Sequence, residues 1–321
     1  MNNKWKLSST SLSDAAFEVS DNFVPLPYFG HKTQQSIMPI IALADDEIIP
    51  LGTGFTVGQD GYLITAVHVI EEFGQIKVPR RDGNGFYKEF LLYALHITDK
   101  RHGPNNENYM GGLWPLYKVH YVPGFDIAVC SLRAALIDGK KYTFPSPKLS
   151  FAVPKVGEQI LGFGYYKSSG QITGRTSKDG KRMANYSQET AFTRGKVTEV
   201  FYPQRDSNKI KWPSFETTAR FESQMSGGPI FNEHGAVCGV ICSSIEGLTE
   251  KDGYISYCSL IWPALGTMIE AKFLDDGPVE VVPFYEIVKR GSIPVDESFS
   301  SVQFVLNPDG TRTVSIPSDR K

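Results

Sequence analysis

The residues best suited to chemistry lie in one loop, Glu222-Ser223-Gln224-Met225-Ser226-Gly227-Gly228-Pro229-Ile230-Phe231. Two glycines directly after Ser226 permit a tight backbone course that a side chain would obstruct. Pro229 then fixes the chain direction as Ile230-Phe231 enters a strand, where a missing N–H does least harm. Such a loop holds one hydroxyl out at the edge of a sheet. A hydroxyl is a weak nucleophile without a base beside it, so an imidazole and a carboxylate must come from elsewhere in the chain. His68 follows Tyr62-Leu63-Ile64-Thr65-Ala66, which reads as a strand, and Asp126 opens the alternating run Ile127-Ala128-Val129-Cys130-Ser131-Leu132. A serine to attack a carbonyl, an imidazole to take its proton and a carboxylate to set the tautomer are the groups acyl transfer needs. Each alone has an ordinary structural role. Their joint occurrence, each at a strand end or loop, favours chemistry.

Many short runs of Val, Ile, Thr, Tyr and Phe separated by 30 glycines and 20 prolines predict an all-β chain that positions these groups. Its 321 residues suffice for one large all-β unit of two sub-barrels or for two ordinary domains. Residues 1–35 are polar and irregular and read as an N-terminal extension. Strands are predicted at 37–44, 48–57 and 62–66, with a hairpin turn at Gly58-Gln59-Asp60-Gly61, and a further clear strand at 90–98. The polar stretches 100–109 and 167–188 read as surface loops. A second set of strands runs from about 148 to 260, and Trp262 to Lys272 reads as a helix. Residues 273–321 form a C-terminal extension with a hairpin around Asn307-Pro308-Asp309-Gly310.

The net charge of −2 carries no nucleic-acid or anionic-membrane footprint. No apolar stretch is long enough to span a bilayer, and the N-terminus lacks the pattern of a secretory signal, which predicts a cytoplasmic protein. Cys130, Cys238, Cys242 and Cys258 then read as reduced core thiols, a Cys242–Cys258 bridge being the alternative. No Cys-x-x-Cys pair or histidine cluster has metal-ligand spacing, so neither a metal nor a cofactor is expected.

Taken with Gly52-Thr53-Gly54-Phe55, Leu63-Ile64-Thr65-Ala66-Val67-His68, Phe125-Asp126-Ile127-Ala128-Val129 and Ser226-Gly227-Gly228-Pro229, the chain resembles the trypsin-like (chymotrypsin-fold) serine proteases, especially the bacterial high-temperature-requirement type. The resemblance covers roughly residues 36–272. It implies two antiparallel six-stranded β-barrels, the first at about 36–140 and the second at about 148–260, then a C-terminal helix at 262–272. It implies His68 as base, Asp126 as orienter and Ser226 as nucleophile of an endopeptidase acting on protein or peptide substrates. Backbone N–H groups of Gln224 and Ser226 would form the oxyanion hole. Ser243, Ser244 and Ser256 would line the specificity pocket, and Ser243 could also hydrogen-bond Asp126.

Departures from the family pattern are informative. Gln224 stands where the family has glycine, and a side chain there resists the backbone conformation that turns the N–H inward. Either Gln224 adopts that conformation, or the hole forms only when an activating partner docks, through the N- or C-terminal extension. Arg220, at the base of the pocket, either binds an acidic substrate residue or pairs with Glu222. No peptide-binding module is expected after the barrels. A non-catalytic peptide-binding scaffold on the same fold is the competing reading, and an esterase a distant third.

Overall fold

The structure is a computed structural model. It describes residues 23–26, 32–44, 47–74, 90–102, 107–132, 136–137, 140–176, 182–245, 254–273, 277–307 and 312–316. In chain order the strands are β1 (Phe23–Leu26), β2 (Ile37–Ala44), β3 (Glu47–Val57), β4 (Tyr62–Thr65), β5 (Phe90–His102), β6 (Glu107–Tyr121), β7 (Ala128–Leu132), and the short pair β8 (Leu136–Ile137) and β9 (Lys140–Lys141). They continue as β10 (Gln159–Thr176), β11 (Arg182–Phe201), β12 (Ser214–Thr217), β13 (Pro229–Phe231), β14 (Val237–Ile245), β15 (Ile255–Leu260), β16 (Met268–Ala271), β17 (Glu280–Pro283), β18 (Gln303–Leu306) and β19 (Arg312–Ser315). The helices are α1 (Lys32–Gln35), α2 (Val67–Gly74) and α3 (Phe284–Lys289), with 3₁₀ turns at Trp262–Gly266 and Glu297–Ser301.

Two barrels close. In the first, β3-β2-β5-β6-β7-β4 are neighbours and β4 returns to β3. In the second, β11-β12-β15-β14-β13-β10 are neighbours and β10 returns to β11. Each is a ring of six antiparallel strands, as the resemblance implied, and closure removes the unpaired edges an open sheet would expose. The interiors are apolar: Ile40, Phe55, Leu63 and Val129 are fully buried in the first barrel, Phe163, Phe215, Ile230 and Val240 in the second. β3 and β10 join the barrels side by side through Ile48 and Gly170. β1 adds to the outside of β11.

Three predicted elements differ. The helix over 262–272 is a single 3₁₀ turn, Trp262–Gly266, followed by strand β16. Burial along Met268–Ala271 alternates with the period of a strand, and Ile269 pairs with Val282 of β17. The polar stretches at 100–109 and 167–188 are for the most part paired strands, β5 with β6 and β10 with β11, their tips lying outside the described residues. The hairpin near the C-terminus is present as β18 and β19.

The C-terminal segment is built into the barrels. Phe284, Ile287, Val288 and Ile293 are buried. The Leu149 N–H donates to Pro294 O at 2.9 Å and the Asp296 N–H to Leu149 O at 2.9 Å. Among the described residues no helix is long and apolar enough to cross a membrane. All four cysteines are free and buried, which corrects the alternative of a Cys242–Cys258 bridge.

His96, 1% exposed, stands in a box of aromatic rings, with Tyr142 at 5.4 Å and Phe144 at 5.9 Å. Burial pushes its imidazole down to about 4, only partly offset by a backbone group of Gln35. The unfolded chain would take up this proton near pH 6.5, while the folded one resists until about pH 4. Stability should therefore fall as pH drops through that window, by roughly 3 kcal/mol from this group. Urea midpoints measured between pH 7 and 4 should slope less steeply in His96→Phe; identical slopes would refute the assignment.

Candidate active site

Asp126 lies at the end of a turn in which the Phe125 N–H donates to Val122 O, and it is 5% exposed. Its Oδ1 accepts the main-chain N–H of His68 at 3.0 Å. His68 Nδ1 lies 3.0 Å from Oδ1 and 2.9 Å from Oδ2. The carboxylate thus caps the first turn of α2 and holds the imidazole at once. A carboxylate partner selects the tautomer with its proton on Nδ1, which makes Nε2 the acceptor.

Ser226 sits in a turn fastened on both sides. The Met225 N–H donates to Glu222 O, the Gly228 N–H to Met225 O and the Gly227 N–H to Ile241 O. The Thr53 N–H of the first barrel donates to Ser226 O at 2.8 Å. Gly52 is packed so closely that an added Cβ would meet both Val69, next to His68, and Ser226 O at 2.8 Å. The Ser226 hydroxyl donates to Cys242 O at 2.9 Å.

Cys242, read from the sequence as a core thiol and as part of the pocket wall, lines the same cavity as His68 and Asp126. Its thiol donates to Val240 O at 3.6 Å and lies 2.9 Å from Ser259 Oγ, while its carbonyl accepts from Ser226. Burial first, and the Asp126 charge second, raise the thiol far above its usual range, so it stays protonated. Cys242 is buried, whereas Ser243, expected to reach Asp126, is exposed. The β14–β15 register slips between Ile241 and Ser243, and that bulge turns Cys242 inward and Ser243 out.

Ser243 instead lines an open cavity of about 550 Å³ beside His68 and Asp126, walled by Tyr257, Trp212 and Ile210. Ser256 is fully buried and donates to Ala219 O at 2.7 Å, tying β15 to the segment before the serine. Ser244 lies on β14 opposite Ser256; its side chain is outside the described residues. Arg220 pairs with Glu222, and its guanidinium stacks on Phe23 of β1 at 5.1 Å and on Tyr254 at 5.3 Å. A substrate carboxylate would have to compete with Glu222 there.

Gln224 has φ +74°, the left-handed region that its family counterpart, a glycine, enters without strain. Its carbonyl accepts the Thr53 hydroxyl at 2.8 Å, and Thr53 Oγ1 in turn accepts the Tyr165 N–H at 3.1 Å. Thr53 is a residue whose role the sequence reading passed over. Its signal was there: a small polar side chain between two glycines, where a hydroxyl can be buried only with partners.

Residues 52–240 match the sequence model of the trypsin-like peptidase domain. Similar solved structures include that of Deg5, 17% identical, with a TM-score of 0.42, covering 72% of this chain and 85% of that one. The apo MamO protease domain from Magnetospirillum magneticum is 16% identical, with a TM-score of 0.41, covering 81% and 97%. A comparison with curated proteins finds no match. With a domain match over more than half its length and two closed barrels, the chain belongs to the trypsin-like peptidase domain family.

Proposed function

We propose that this chain is a serine endopeptidase that hydrolyses protein or peptide substrates through an acyl-enzyme, with Ser226 as nucleophile, His68 as base and Asp126 as orienter. One observation carries this reading: a single carboxylate holds both the ring and the main chain of His68. In the reaction, Ser226 Oγ rotates away from Cys242 O and passes its proton to His68 Nε2 as it attacks the substrate carbonyl carbon. The oxygen of that carbonyl gains negative charge and is met by the N–H groups of Gln224 and Ser226. His68 then protonates the leaving amine, the C–N bond breaks, and the acyl group remains on Ser226. Water attacks by the same relay, releasing the acid and restoring the hydroxyl.

The left-handed backbone at Gln224 supports a turn already formed at rest. The Ser226 hydrogen bond to Cys242 O favours a second reading, a peptide-binding scaffold whose serine is parked. A hydroxyl has one proton, and here it is directed at the carbonyl. An activating partner docked on the terminal extensions would act by releasing it. Four free buried thiols are in keeping with a cytoplasmic setting.

Fluorophosphonate labelling of the purified chain, with and without cell extract, tests this against Ser226→Ala. The expected result is labelling of wild type alone, without extract. Labelling only with extract would make it a latent enzyme that needs a partner. No labelling in either condition would overturn the peptidase reading in favour of the scaffold.

A further inference from the structure

Among the described residues two non-glycine positions have left-handed backbone, Lys167 at φ +48° and Gln224 at φ +74°. They lie 57 positions apart in the chain and yet form one assembly, since Ser168, the neighbour of Lys167, bonds Gln224. The β10–β11 ladder pairs Tyr166 with Glu189 and next Ser169 with Ser187, so Lys167 and Ser168 together oppose a single residue. This bulge takes the Ser168 main chain out of the ladder. Its N–H donates to Gln224 Oε1 at 2.8 Å, and its carbonyl lies 3.5 Å from Gln224 Nε2. A primary amide offers one acceptor and one donor edge, the complement of a peptide unit, so the side chain fills the place of the missing strand partner. On the opposite side the Gln224 carbonyl is held by Thr53.

We propose that the Gln224 side chain is a positioning device. By clasping the bulge at Ser168 it holds its own backbone in the left-handed conformation that aims the Gln224 N–H at the reacting carbonyl oxygen. The clasp does by a tertiary bond what a glycine would do by lacking a side chain. It also couples the β10–β11 arm to the site, because any ligand that straightens the bulge withdraws the Ser168 main chain and releases the turn. Lys167, paired with Glu189 on the facing strand at 3.5 Å, holds the bulge from outside. This inference rests on the peptidase reading for its catalytic consequence and on geometry alone for the clasp.

The test separates the two. Gln224→Ala removes the clasp and keeps a Cβ; Gln224→Gly removes both. The maximal rate of fluorophosphonate labelling should fall by about 10- to 100-fold in Gln224→Ala, with the half-saturating probe concentration unchanged, as expected for an oxyanion donor turned away. Gln224→Gly should recover at least about ten-fold of that loss, because glycine needs no clasp to hold the conformation. Ser168→Pro, which lacks the N–H, should slow labelling in wild type far more than in the Gln224→Gly background. Equal labelling of Gln224→Ala and wild type, or a Gln224→Gly variant as slow as Gln224→Ala, would overturn the proposal. Hydrogen exchange at the Ser168 amide reads the clasp without activity: slow in wild type and faster in Gln224→Ala is expected, and equal exchange would refute it. A wild type that never labels, with Ser168 exchange still raised by Gln224→Ala, would remove the peptidase reading and leave the clasp standing.

Discussion

Asp126→Asn should lower the maximal rate of Ser226 labelling on the order of 10⁴-fold, the loss an orienting carboxylate brings in Ser-His-Asp sites. The Asp126 carboxylate accepts from the His68 main-chain N–H and from His68 Nδ1. An asparagine has one oxygen and one NH₂ to offer. If the oxygen keeps the main-chain bond that starts α2, the NH₂ faces Nδ1 and forces it to accept. The ring proton then moves to Nε2, and the nitrogen that should take the serine proton is already occupied. The cost to folding is smaller, about 1–2 kcal/mol for one strained hydrogen-bond set in a buried site. A variant that melts a few degrees low and labels four orders of magnitude more slowly is the expected result. A loss below about ten-fold would remove Asp126 from the role of orienter.

What the sequence disclosed and what it hid follow one division. Ser226 and its glycines were legible because the need for a bare backbone is local. So were the alternating strands and the closing hairpin at 303–315, whose turn residues announce themselves. Hidden features depend on partners far along the chain. Val67-His68-Val69-Ile70 is rich in β-branched residues and reads as the end of a strand, yet it opens α2, because a carboxylate 58 residues away caps it. Cys242 turns inward and Ser243 outward because of a one-residue bulge, which no composition reveals. Whether Gln224 could adopt the turn's conformation stayed open in the sequence, since the partner of its side chain is the main chain of Ser168, where sequence carries no mark. The C-terminal segment read as an appendage because its buried faces, Phe284 and Ile287 among them, have meaning only against the barrels they cover. Periodicity reports a residue's own element. It does not report which distant backbone that element must satisfy.

The same logic sets the second large effect, Gly227→Ala. Gly227 has φ +86°, and a Cβ there would lie 2.1 Å from Thr53 O, 2.2 Å from Thr65 Oγ1 and 3.1 Å from Ala66 N. Those atoms are the joint between the barrels. The Thr65 hydroxyl donates to Thr53 O at 2.7 Å, Thr53 holds Ser226 O and Gln224 O, and Ala66 leads into α2 and His68. A methyl group cannot enter without breaking that bond and driving the end of β4 from the serine turn, so His68 and Ser226 move apart. The expected loss is about 3–5 kcal/mol in unfolding free energy, from overpacking added to backbone strain. Gly157→Ala provides the comparison that separates the two terms. Gly157 has φ +88°, but nothing lies within 4 Å of its added Cβ, so only the left-handed backbone is penalised, by about 1–2 kcal/mol. Urea unfolding of both variants measures the difference. Labelling should persist in Gly157→Ala and vanish in Gly227→Ala even under conditions where the latter remains folded. Equal losses of stability would mean that the close approach of Thr53 and Thr65 to Gly227 is not what holds the two barrels in register at the site.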